Sequence, residues 1–195
     1  MEADWEIEFG GDAAVIEPLW AGFIDLRLEP GRINELSEVR AFPPLGAALL
    51  QLNAENSPVW TAKCDFRPQL EPGTWDPDEM EAGASDALHA AGCYIDLLAR
   101  EPRRWMDQTP VERDSRSLCA RLHAIKLSHC RVDLIVRNVW MNEGLTGNGI
   151  TAYATACGNT QQAAQECLAA ALAALIEAIP AVCRADAAGD KSTVQ

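Results

Sequence analysis

No Cys-x-x-Cys pair occurs in this chain, although it holds seven cysteines: Cys64, Cys93, Cys119, Cys130, Cys157, Cys167 and Cys183. That absence argues against a zinc ribbon, and the odd number argues against a closed disulfide framework. Most of these thiols are therefore read as small buried hydrophobes in a reducing compartment. A basic-then-apolar leader is also missing, since MEADWEIEFG carries four acids before any apolar run. No long apolar run occurs either. The longest, Cys167 to Ile176, is mostly alanine and about half of what a bilayer crossing needs. These absences predict a soluble, cytoplasmic chain with no membrane partner. Glycine-rich phosphate signatures are lacking too: no Gly-Lys-Ser/Thr follows Gly144, Gly147 and Gly149, which read instead as a mobile hairpin loop.

What is present is an ordinary globular composition, 48% hydrophobic and 23% charged. A chain this long buries roughly 70% of its unfolded surface, enough for one core. We expect a single domain over residues 1–183 and a flexible tail over 184–195. The net charge of −13 is unevenly placed: residues 1–96 hold 19 acids and 5 bases, residues 97–195 hold 10 and 11. Such a field repels nucleic acid and favours encounter with a basic partner.

Trp5, Ile7 and Phe9 alternate with acids before Gly10-Gly11-Asp12, which predicts a hairpin returning through Val15 to Pro18. Ile24, Leu26 and Leu28 alternate with charges and predict another strand. Pro43-Pro44 followed by Leu45, Leu49 and Leu52 predicts a helix ended by Ser57-Pro58. Val59 to Phe66 reads as a strand. Asp76-Pro77-Asp78-Glu79 is a helix start, and the stripe from Met80 to Leu98 extends that helix to about Ala99. Alternatively, Gly92 caps it and 93–99 is a buried strand. Thr109-Pro110-Val111-Glu112 reads as a capping box opening a third helix. Arg131 to Trp140 and Ile150 to Cys157 are strands, and Gly158-Asn159-Thr160 starts a final helix that Pro180 stops. The fold class is thus α+β: a mostly antiparallel sheet of about five strands packed against helices on one face. A loose repeat relates 43–99 to 110–179.

Each histidine lies near a cysteine, and His89/Cys93 with Cys119/His123 are the candidate metal ligands, being pairs four apart as helical ligands are spaced. The helical wheel turns the two pairs away from each other, so no metal and no cofactor is favoured. Cys157, at the end of a strand and before a helix N-terminus, is the candidate catalytic thiol. Gly158, Asn159 and Thr160 are the candidate anion site, because free N–H groups there favour an anion and lower a thiol's pKa. Six tryptophans are many for this length, and Trp75 and Trp105, in polar loops, are the candidate interaction surface. Because spacing assembles no nucleophile, base and orienting group, the expected function is a non-catalytic interaction or regulatory module. Its partner would be another protein, possibly basic, or a second copy as a homodimer. The alternative is a small enzyme or ligand-binding protein with a pocket between sheet and helices.

Overall fold

The first six strand residues, Glu2–Ile7 (β1), do not fold back on their own sequence but pair in parallel with Cys130–Trp140 (β4), from Glu2 opposite Arg131 to Ile7 opposite Val136. The computed structural model describes residues 1–8, 16–140, 144 and 146–183. The expected turn at Gly10-Gly11-Asp12 lies outside the described residues. Where the chain returns, Ile16 joins the same edge of β4 in a parallel bridge to Val139. The predicted opening hairpin is therefore corrected. Alternation marks a strand but not its partner, and here β4 supplies the row Val132, Leu134 and Val136 that shares one core with Ala3.

Five strands form one sheet in the order β1-β4-β5-β3-β2, with β2 at Val59–Arg67, β3 at His89–Ala99 and β5 at Thr146–Gly158. All pairs except β1/β4 are antiparallel. The helices are α1 (Ser37–Ala41), α2 (Pro43–Asn53), α3 (Gln108–His123) and α4 (Gln161–Cys183). Helix α4 packs on β5 and β3, with α2 and α3 beside it. The fold is α+β, with a mostly antiparallel sheet and its helices on one side.

The predicted strand at 24–28 is a series of turns. Asp25 captures the Arg27 backbone N–H at 3.0 Å and its guanidinium at 2.9 and 2.6 Å, while its carbonyl accepts from Leu28 and Glu29. A side chain that binds its own neighbours' backbone competes with ladder formation. The long helix expected over 76–99 is also corrected. Its start signal yields one 3-10 turn, Asp78–Met80, which Glu81 ends at φ 53°, and the chain then enters β3 at His89. The alternative strand reading holds and extends further back. Because β3 is central and covered on both faces over most of its length, its apolar run is continuous and mimics a buried helical stripe.

Smaller differences follow local chemistry. The expected capping box at Thr109 does not form, because α3 begins two residues earlier, at Gln108, whose Nε2 donates to Glu112 Oε1 at 2.6 Å. Pro180 sits inside α4 and does not stop it. Gly147 and Gly149 belong to β5 rather than to a loop. Gly149 is required there, since a Cβ would lie 2.8 Å from Ile16 Cδ1 and 3.0 Å from the Leu97 carbonyl.

The expected repeat of 43–99 in 110–179 is redrawn: α3 follows the β2-β3 pair instead of opening the second unit, so β2-β3-α3 is followed by β4-β5-α4, and β3 and β5 lie antiparallel at the centre. Tyr94 stands opposite Tyr153 at the middle of that pairing, and the registers of β2-β3 and β4-β5 are related by a pseudo-twofold axis there, which the helices do not follow: α4 packs on β5 and β3, α3 on β1 and β4. By length and composition α4 passes as a membrane span, 20 residues at mean hydropathy 1.4. Here Ala164, Leu168, Ala171, Leu172 and Leu175 belong instead to the core shared with the sheet.

Candidate functional site

Strand alternation sends every second side chain to the face that carries no helix, and the register sorts those side chains into rows across the sheet. The central row reads Asp65, Tyr94, Tyr153, Asp133, Asp4, one residue from each strand. The two rings meet at 5.6 Å between centroids, tilted by 47°. An aromatic pair at the pseudo-dyad is thus flanked by carboxylates on both sides. On one side runs the row Arg67, Gly92, Thr155, Arg131, Glu2, and on the other Asp96, Thr151, Ile135, Glu6. The sequence signal for these residues is the outward position of Asp65, Asp133 and Tyr153 in their β-rich runs, and it becomes readable only once register is known.

Two segments wall this face. Residues 16–28 cover the end where Ile16, Ala62, Leu98 and Val139 cluster against Trp60. Trp20 stacks edge-on with Phe23 at 5.0 Å, and the Arg27 guanidinium lies 3.7 Å over Trp60. Residues 68–88 cover the other end, where Met80, Ala82, Ala90 and Cys157 are buried with Leu70, Trp75 and Ala87 against them. Between the walls lie two concavities of about 440 and 390 Å³ that share Tyr153 and Thr155. Each is of the size that ligand sites occupy.

The electrostatics of the face are mixed and mostly paired. Arg131 bridges Asp133 at 2.8 Å and Glu79 at 2.9 Å, and Arg137 approaches Glu8 at 2.8 Å while lying 5.8 Å over the Tyr153 ring. Burial pushes the Asp133 carboxyl above its ordinary value despite Arg131, and pushes the Tyr94 phenol up as well. Asp96 is only 4% exposed and accepts from Thr151 Oγ1 at 2.6 Å. Its carboxyl is also raised, because desolvation outweighs the Thr151 hydrogen bond and the more distant attraction of Lys63 and Arg137.

The residues singled out from sequence are scattered. Cys157 is fully buried under the 68–88 wall, its N–H donating to the His129 carbonyl at 2.9 Å, and desolvation raises its thiol rather than activating it. Thr160 Oγ1 accepts from Ala163 N at 3.1 Å, so the α4 terminus caps itself. Gly158 packs against that turn so tightly that a Cβ would lie 2.6 Å from Ala164 N. His89 and Cys93 lie on a strand, where four residues span about 13 Å instead of one helical turn. Cys93 is in the core, its thiol pushed up to about 12 by burial; Cys119 donates to the Ala3 carbonyl at 3.2 Å, and His123 is exposed at the end of α3. Among the described residues no three His, Cys, Asp or Glu side chains gather as metal ligands.

Trp105 is not at the surface. It is 2% exposed, and its Nε1 donates at 2.9 Å to Asp114, which also receives both Arg104 nitrogens at 2.9 and 3.1 Å. Its loop is polar because the indole and Arg104 together satisfy one buried carboxylate. Trp75 is half-buried in the wall, with its Nε1 enclosed and lacking an acceptor among the described residues.

Under α3 and α4 the sheet is closely packed, the concavity bounded by Leu97, Trp105, Leu118 and Ile150 measuring about 10 Å³, whereas a concavity of about 460 Å³ lies between β2 and the first two helices, lined by Glu38, Leu49, Lys63 and Cys64. A groove of about 770 Å³ runs between α2 and α4 and is lined by Leu52, Leu172 and Ile176 with, among the described residues, Glu177 as its one charge. We favour the helix-free sheet face despite its smaller concavities, because charged and aromatic groups converge there, whereas the α2/α4 groove sets Gln51, Asn56, Ser57 and Glu177 among apolar residues with no aromatic ring. Comparison of this chain with family models, with curated proteins and with solved structures finds no match.

Proposed function

We propose that this protein is a non-catalytic recognition domain that binds a basic protein partner across the helix-free face of its sheet. The observation that carries this reading is the central row, in which Tyr94 and Tyr153 are flanked by Asp65 on one side and by Asp133 and Asp4 on the other. Tyrosines supply large, stiff contact area, and carboxylates beside them favour Arg and Lys side chains, which also stack on aromatic rings. The acidity of residues 1–96 speeds encounter with such a partner. Support for a non-catalytic role comes from the thiols: Cys64 and Cys93 are pushed up to about 12 and Cys130 to about 11, each mainly by burial.

The test is calorimetric titration of the full chain with an arginine- and lysine-rich peptide. The double variant Tyr94→Ala/Tyr153→Ala should bind about tenfold more weakly, and Gln51→Ala in the α2/α4 groove should bind as the parent does. Equal binding by parent and double variant sinks the proposal, and so does a loss confined to Gln51→Ala.

A second reading has its own observation. Asp96 is a buried carboxyl with a raised value beside Tyr94, the kind of perturbed group that small-molecule sites use. Native mass spectrometry of the purified chain separates the two: a retained small molecule favours a ligand-binding protein or enzyme, and a bare chain favours the partner-binding reading.

A further inference from the structure

Helices lie against both edge strands of the sheet. At the β2 edge, Thr61 N–H donates to Asn53 Oδ1 at 3.1 Å, and α1 and α2 both lie against the strand. At the β1 edge α3 lies against the strand as well, but part of the outward backbone is unpaired among the described residues. Glu8 N–H donates to the Val136 carbonyl at 3.0 Å, which fixes the phase: even-numbered residues of β1 direct their backbone groups to β4, and Ala3, Trp5 and Ile7 direct theirs outward. Of these outward groups, the Ala3 carbonyl accepts from Cys119, and Trp5 N–H is held at 2.7 Å by the neighbouring carboxylate of Asp4. The Trp5 carbonyl and both backbone groups of Ile7 have no partner among the described residues. An unpaired edge is a template for another strand.

The side chains of that edge specify what the strand must be. Glu2, Asp4, Glu6 and Glu8 alternate on the helix-free face, and Asp4 and Glu6 are exposed. A second copy of this chain would set two such rows against each other, and like charges directly across a strand pair are destabilising. An extended segment with Lys or Arg at every second position would instead lay its cations over these carboxylates. Its cations would stand at the β1 rim of the concavity bounded by Asp4, Glu6, Asp133 and Tyr153.

We propose that a basic partner docks as a sixth strand on β1, with main-chain hydrogen bonds to Trp5 and Ile7 and alternate cationic side chains over Asp4 and Glu6. The inference rests on the recognition reading above and adds the partner's backbone conformation and its register.

The experiment titrates the full chain with an alternating lysine-valine octapeptide and with two derivatives, one N-methylated at the lysine amides and one at the valine amides. Charge is identical in all three, but only one derivative has its methyl groups on the edge facing β1. That derivative should bind about tenfold more weakly than the parent peptide, and the other within about threefold of it. If the two derivatives bind alike, the added strand is overturned. In that case, loss of the parent peptide by Tyr94→Ala/Tyr153→Ala would leave the recognition face standing without it. Failure of the parent peptide to bind at millimolar concentration overturns both.

Discussion

Replacing Trp105 by Phe tests whether this ring is an anchor of the core or part of a surface. The substitution removes the indole N–H that donates to Asp114 at 2.9 Å, a bond to a charged acceptor worth about 1.5–3 kcal/mol. Asp114 keeps both Arg104 bonds, so its charge is not left bare. The smaller ring also leaves a void of roughly 40 Å³, which at about 24 cal/mol per Å³ costs about 1 kcal/mol where the walls cannot close in. Those walls, including Leu97, Leu118 and Ile150, already pack to within a concavity of about 10 Å³. The expected loss is about 3 kcal/mol, seen as a urea midpoint lower by about 1.5 M for a slope near 2 kcal/mol/M, or a Tm lower by about 6–12 °C. Adding Asp114→Asn should cost less in this background than alone, because both residues belong to one network. A change below about 0.5 kcal/mol, the range of surface substitutions, would refute the burial argument.

Three further outcomes are expected. Gly158→Ala should destabilise by about 1–3 kcal/mol in urea, because its Cβ would meet the Ala164 backbone at 2.6 Å and the first turn of α4 has no room to give; unchanged stability would contradict that packing. Asp96→Asn should gain stability relative to the parent as pH rises from about 4 to 7. The folded carboxyl holds its proton more tightly than the unfolded one, so the parent's stability falls as pH climbs through the raised value, while Asn does not titrate. A relative gain for the parent over that range would reverse the sign of the argument. Alkylation of Cys157 by iodoacetamide, followed by peptide mass spectrometry, should be much slower than for a free thiol at the same pH, since the group is fully buried and its value raised; a rate at or above the free-thiol rate would revive an activated cysteine.

Much of the fold was legible because local signals matched their outcome. Pro43-Pro44 opened α2, the β-rich runs at 59–66 and 131–140 became β2 and β4, and Thr160 caps α4 with its own hydroxyl. Two of the failures have clear physical causes. In β3 a strand buried on both faces leaves no period-2 trace, so its apolar residues read as a helical stripe, with a Gly92 cap before a strand at 93–99 as the alternative. Around Asp25, side-chain hydrogen bonds overrode an alternating pattern that was real but local. The candidate site was the least legible part. Asp65, Tyr94, Tyr153, Asp133 and Asp4 are far apart in sequence and none sits in a motif; only β-register across four strand pairs puts them in one row. The tryptophan in the most polar loop, by contrast, drew notice for a polarity that serves a buried carboxylate.

The most direct test of the central claim is a two-dimensional amide NMR titration of the full chain with an arginine- and lysine-rich peptide. The account predicts shifts concentrated at Glu6, Arg131, Asp133, Tyr153 and Thr155, with residues of the α2/α4 groove such as Gln51 and Ala173 unmoved. Shifts centred on α2 and α4, or spread evenly over every acidic surface, would contradict it.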